Sequence, residues 1–164
     1  NCTYWADGRE YCQDWMGGDL PTEAQWEKAA RGAGTDTRKY PWGASPEPSC
    51  LRCNWNQCHS PTSSPPSTWP VGTISGTAGD SPFGLKDMAG NLWEFTRDTY
   101  DANAYNACSG GCTDPSNVTS GTHKIIRGGG YYLSEPDYLR VTEREGEYTT
   151  NRSLNAGFRC IRLP

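Results

Sequence analysis

Eight cysteines, at positions 2, 12, 50, 53, 58, 108, 112 and 160, constrain this 164-residue chain more than any other feature. Free thiols in that number are hard to maintain in a chain with only 34% hydrophobic residues. Disulfides formed in an oxidising compartment account for them most simply, which places the protein outside the cytoplasm: extracellular, or in a periplasm or secretory lumen. Spacing alone does not choose among on the order of a hundred pairings. The segment "CLRCNWNQCH" also admits a zinc site made by Cys50, Cys53, Cys58 and His59, although cysteines this close can bridge one another instead.

Bridged loops suit the rest of the composition. The chain has 19 Gly and 12 Pro, with 7 Trp and 9 Tyr but only 3 Phe and 2 Met. Such a mixture favours a loop-rich fold whose core is built on a few large aromatic anchors, and disordered chains are poor in aromatics. The length suits one domain, taken as residues 1–164. A net charge of −4 with no basic run argues against nucleic acid or an anionic membrane surface as a partner. No apolar stretch approaches the roughly 20 residues that cross a bilayer, so membrane insertion is not expected. Asn-x-Ser/Thr triplets begin at Asn1, Asn117 and Asn151, and they become glycosylation sites where the source modifies asparagine.

Local patterns give the elements. Residues 3–16 read as a helix capped by Thr3, with Trp5, Cys12, Trp15 and Met16 on one side and Gly17 and Gly18 as its stop. In "LPTEAQWEKAARG", Thr22 and Gln25 form a capping box, Leu20 staples toward Trp26, Ala29 and Ala30 face inward with Trp26, and Gly32 ends the helix. Residues 33 to 83 are rich in Gly, Pro, Ser and Thr and read as a long decorated loop, closed by a short strand near Trp69 and Val71. Later strands are expected in "LWEFTRDTY", "HKIIRGG" and "AGFRCIRLP". Helices early and short strands late indicate an α+β fold.

One stretch resists a purely local account. "IIRGGGYYLSEPDYLR" runs from two β-branched residues through three glycines into three tyrosines. Glycines in series mark a backbone that bends sharply or lies close to another group. It has no Cys, His or Lys, the side chains most used as nucleophile, metal ligand or base.

The ordered segments "LPTEAQWEKAARG", "YPWG", "FGLKDMAGNLWEFTRDTY", "IIRGGGYY" and "AGFRCIRLP" resemble the successive signature segments of the sulfatase-modifying-factor family, typified by the formylglycine-generating enzyme. The likeness covers Tyr4 to Pro164. It implies a variant of the C-type lectin fold and a further family segment before the first helix. It also implies a disulfide between Cys12 and Cys160, which the family commonly ties together. Local pairing is expected for Cys50 with Cys58 and for Cys108 with Cys112, leaving Cys2 with Cys53.

The resemblance also bears on chemistry. The generating enzyme holds copper through two cysteines just beyond its Gly-Gly-Ser turn, and aligning that turn with Gly128, Gly129 and Gly130 puts Leu133 and Tyr138 at those positions. Neither supplies the soft thiolate that copper(I) requires, so no copper is expected. The histidine cluster of the iron-dependent branch has no counterpart, because His59 and His123 lie in separate segments. A family calcium ion implies a structural calcium held by Asp87, Gly90, Leu92 and Glu94, a ligand chemistry that suits a hard cation.

Three functions follow: a non-catalytic extracellular module, an oxidase of the generating-enzyme type working through other residues, and a variable-loop receptor of the retroelement-diversified kind. The missing thiolates favour the first, with an enzyme not expected. Tyr131, Tyr132 and Tyr138, with Arg140 and Arg144 nearby in sequence, then form a contact surface for a protein or glycan ligand or for self-association.

Overall fold

The computed structural model describes residues 3–34, 37–58, 66–74 and 76–162. Two short helices open the chain, and both begin as local sequence dictates. Helix α1 spans Trp5–Asp14 and α2 spans Glu23–Arg31. The capping box before α2 is reciprocal: the Gln25 N–H donates to Thr22 Oγ1 at 3.2 Å, and the Thr22 N–H donates to Gln25 Oε1 at 2.9 Å. Two otherwise orphaned amides are thereby satisfied. Leu20, Trp26 and Ala30 are all buried, as the hydrophobic spacing requires.

Helix α1 departs from its expected outline at both ends. Tyr4, not Thr3, is the N-cap, because Thr3 is drawn into a bridge with Ser153. At the other end the helix closes at Asp14, and the Gly18 N–H returns to the Cys12 carbonyl at 2.9 Å. Trp15 and Met16 therefore follow the turn instead of the inward face, and Trp15 is 80% exposed.

The sheet has four strands: β1 (Trp93–Thr99), β2 (His123–Arg127), β3 (Arg144–Tyr148) and β4 (Ala156–Phe158), in spatial order β3-β2-β1-β4. Strands β1, β2 and β4 fall in the three expected segments. Strand β3 was not foreseen. Its "REGEY" is polar and holds its place through antiparallel pairing with β2, in register from His123 with Tyr148 to Arg127 with Arg144. The expected strand near Trp69 is absent: that segment is irregular, and the Trp69 N–H donates to Asn91 Oδ1 at 2.9 Å.

Two units divide the chain. The first comprises residues 1–26, 94–127 and 144–164 and carries α1 and almost all of the sheet; the second comprises residues 27–93 and 128–143. Phe95 and Ile125 are buried in the first unit, where the Cys12–Cys160 disulfide ties α1 to the segment after β4. In the second, Tyr40, Cys53, Trp55, Ala89 and Leu139 form an aromatic-anchored core with Trp42 packed against it. With little regular structure there, side-chain volume in place of a sheet face fills the interior.

Candidate functional site

The glycine triplet is a real constraint. Gly128 and Gly129 have φ of 94° and 77°, in the region where a Cβ is strained. A Cβ on Gly129 would also lie 2.7 Å from the Tyr138 carbonyl oxygen, and one on Gly130 would lie 2.8 Å from the Tyr132 ring. The turn is pinned from the loop at 90–91: the Gly90 N–H donates to the Gly128 carbonyl at 2.7 Å, and the Tyr131 N–H to the Asn91 carbonyl at 2.9 Å. Asn91 organises that loop further. Its side chain accepts from the Trp69 N–H and from Asn54 Nδ2, and donates to the Trp69 carbonyl. Sequence reasoning missed it, although an asparagine after a glycine, here at φ 66°, is a residue suited to left-handed backbone.

Beyond the turn the tyrosines gather around Trp93. The Trp93 indole N–H donates to the Tyr132 hydroxyl at 3.1 Å, and the Tyr138 ring stands edge-on to Trp93 at 6.5 Å. Tyr131 and Tyr132 meet at 5.6 Å, also edge to face. Residues 131 and 132 lie in a turn, so strand alternation does not bury one of them. Tyr132 and Tyr138 are 39% and 36% exposed while Trp93 is buried, which gives a wet rim on an apolar floor. Arg140 stays close by sequence and pairs with Asp137 at 2.5 Å. Arg144 is committed elsewhere, in the first unit. Its guanidinium holds Glu23 at 2.7 and 3.0 Å, donates to the Asp101 carbonyl, and covers the rings of Tyr100 and Tyr105. A charge so spent is not available to a surface ligand.

The four residues expected to hold calcium are arranged as follows. Asp87, at φ 56°, accepts from the Gly72 N–H at 2.7 Å, and Gly90 turns at φ 76° against the Asn54 carbonyl, where no side chain would fit. Leu92 is half-buried beside them in sequence, just before β1. Glu94 is in the first unit, and both its oxygens are taken: Arg159 donates to each at 2.6 Å, and the Trp26 indole N–H donates to one at 2.6 Å. A dication there would face a guanidinium on the same oxygens. Glu94 as arranged does not fit calcium.

Three disulfides are present among the described residues: Cys12–Cys160, Cys50–Cys58 and Cys108–Cys112. The Cys50–Cys58 bridge removes two of the thiolates that zinc would need, and His59 lies outside the described residues. Cys53 is a free, buried thiol and not a bridge partner, while Cys2, the partner expected for it, also lies outside the described residues. Asn1 falls outside them too. Of the other triplets, Asn151 is exposed and donates to Glu147 at 3.0 Å; the Asn117 side chain is tied to the Thr99 carbonyl and to Thr119. His123 packs its ring on Tyr148 at 3.8 Å, away from any second histidine among the described residues.

The family described as sulfatase-modifying factor enzyme 1-like domain matches residues 1–164, the full length of the chain. The chain belongs to the sulfatase-modifying-factor family. It is 34% identical to a formylglycine-generating enzyme of Thermomonospora curvata, over 98% of this chain and 54% of that protein. It is equally identical to an inactive C-alpha-formylglycine-generating enzyme 2 of Bos taurus, over 95% of this chain and 47% of that one. The chain thus spans about half the length of these relatives. Among solved structures, PvdO from Pseudomonas aeruginosa superposes with a TM-score of 0.69 at 24% identity over 96% of this chain and 59% of that one. Treponema denticola variable protein 1 superposes at 0.63 with 25% identity over 85% and 45%. These likenesses agree with the α+β fold.

Within this sulfatase-modifying-factor domain, Leu133 and Tyr138 both follow the glycine turn, and residues 128–138 carry no thiol. Leu133 donates its N–H back to the Gly130 carbonyl at 3.2 Å and accepts from the Asn56 N–H. The free thiol among the described residues, Cys53, is in the second unit's core, and burial pushes its pKa up to about 12, against weaker opposing effects of the Ser49 carbonyl and the Arg52 charge. Only the thiolate is a nucleophile or a metal ligand, so Cys53 is inert at neutral pH.

Proposed function

We propose that this domain is a non-catalytic, disulfide-tied module of the sulfatase-modifying-factor family. It works outside the cytoplasm and holds a protein or glycan partner, or a second copy of itself, through Tyr132 and Tyr138. The observation that carries this reading is that Leu133 and Tyr138, at the positions where the resemblance expects thiols, offer no thiolate, and that the Tyr138 ring packs on Trp93 instead. Likeness to an inactive relative supports the same reading, and three disulfides support an oxidising compartment. Likeness to a variable protein supports a second reading of the same face as a variable-loop receptor.

Incubation with copper and a cysteine-containing sulfatase peptide should yield no aldehyde. Aldehyde formation would overturn the non-enzyme reading. For binding, a glycan array and sedimentation of the free domain supply the probes. Tyr132→Ala/Tyr138→Ala should abolish array binding or self-association while the circular dichroism stays unchanged. Retention of both by the folded double variant rules the tyrosines out.

A further inference from the structure

The first unit contains an open cleft of about 550 Å³, lined in part by Trp5, Arg9, Arg97, Ser120, Lys124 and Thr149. The lining includes three cations and no carboxylate, in a chain whose net charge is −4. That local reversal of sign has a structural origin. Pairing between β1 and β2 slips between Phe95 and Thr99, so β1 carries extra residues opposite Ile125. Such bulges re-aim side chains, and Arg97 lies within this one. Trp5 clamps it by donating its indole N–H to the Thr96 carbonyl at 2.7 Å.

The cations are left short of counter-charge. Lys124 is 5% exposed, and its ammonium donates to the Arg97 carbonyl, the Thr99 hydroxyl and the Thr119 carbonyl, all uncharged acceptors. It also stands 4.6 Å over the Trp5 ring. Burial lowers its pKa, with the Asp98 charge opposing and those of Arg9 and Arg97 adding to the depression. The buried Arg97 Nε faces Asp19 Oδ2 at 3.5 Å, an ion pair that falls short of a hydrogen bond. Asp19 is mainly spent on Arg9, at 3.0 and 3.2 Å. A nearly buried ammonium held only by uncharged acceptors, beside two guanidinium groups that share the single Asp19 carboxylate, leaves positive charge that an anion would complete.

We propose that this cleft binds a small acidic saccharide through its carboxylate or sulfate. Arg97 takes the oxyanion, the Lys124 charge stabilises it from beneath, and the Ser120 and Thr149 hydroxyls face the sugar. The volume suits one or two sugar rings, within the usual range for small-ligand sites. The site shares no residue with Tyr132 and Tyr138.

Calorimetric titration with glucuronate, glucose 6-sulfate and glucose tests this. At least one of the two anionic sugars should bind saturably and glucose should not. Affinity should fall about tenfold or more in Arg97→Gln and at high salt, as a charge-assisted contact requires. Lys124→Met should do the same where it folds, and Arg9→Gln gives a second, more exposed variant with a smaller loss. Tyr132→Ala/Tyr138→Ala should bind the sugar as the native chain does, which separates this site from the aromatic surface. Binding of glucose as tight as that of glucuronate, no binding of either anionic sugar, or an unchanged isotherm in folded Arg97→Gln would overturn the proposal.

Discussion

Glu94 buries a carboxylate at the start of β1, and its side chain is only 12% exposed. Removing one partner from a buried pair costs more than the pair is worth, because the other charge stays behind. Arg159 retains partial access to solvent, which softens that penalty. Glu94→Gln should therefore lower unfolding stability by about 2–3 kcal/mol in a urea titration. The same arithmetic bears on the cation. If Glu94 is spent on Arg159 and Trp26, exhaustive chelation should leave the melting temperature unchanged in the native chain and in Glu94→Gln alike. A drop of several degrees in the native chain alone would return calcium to this residue, since an ion that binds only the folded state raises its stability by mass action.

At the scale of elements, the Cys12–Cys160 bridge closes a loop with a sequence separation of 148 residues and fastens α1 to the segment after β4. In the chain-entropy account such a loop contributes up to about 5 kcal/mol, so Cys12→Ala/Cys160→Ala should lose about 3–5 kcal/mol in chemical denaturation. A loss near zero would mean that the bridges at Asp19 with Ile161 and Thr3 with Ser153 hold α1 unaided. Features legible in the sequence were those with local causes: the Thr22 and Gln25 capping box, the β-branched run of β2, and the glycine turn. The family resemblance added the Cys12–Cys160 pairing. Strand β3 was illegible because its pattern is polar and its partner is β2. Trp15 and Met16 misled because spacing says nothing about where a helix stops. Arg144 sits near the tyrosines in sequence, yet Glu23 claims it. The cationic cleft was beyond reach for a related reason: α1, the β1 bulge, the loop at 118–121 and β2 each contribute a part, and no window contains them together.

At the scale of the whole molecule, charge decides how stability varies with pH. Asp19 is the clearest case on the acid side. Burial alone would raise its pKa, but the Arg9 hydrogen bond, the Leu20 N–H and the charges of Arg9 and Arg97 outweigh it and hold the folded value below 3.8. A depressed carboxylate pKa means that its contribution is fully present above the unfolded value and is lost as pH falls through the folded one. On the alkaline side Lys124 is opposed by Tyr40 and by the buried thiol of Cys53, which is pushed up to about 12. Lys124, depressed below 10.5, makes folding more favourable as pH rises toward that value. Tyr40, raised above 10.0 by burial and by its hydrogen bond to Glu47, with Lys39 opposing, makes folding less favourable as pH rises through its folded pKa. Stability should therefore fall along the alkaline limb, because Cys53 and Tyr40 ionise more readily in the unfolded chain, and the acid limb should carry the Asp19 contribution. Asp19→Asn should accordingly be less stable than the native chain at neutral pH and converge toward it as pH falls through the folded pKa, which lies below 3.8, because protonation then removes the same charge from the native chain. Melting curves recorded from neutral to strongly acidic pH decide the point: a gap between the two chains that stays constant down the series would show that Asp19 acts through packing and not through its charge.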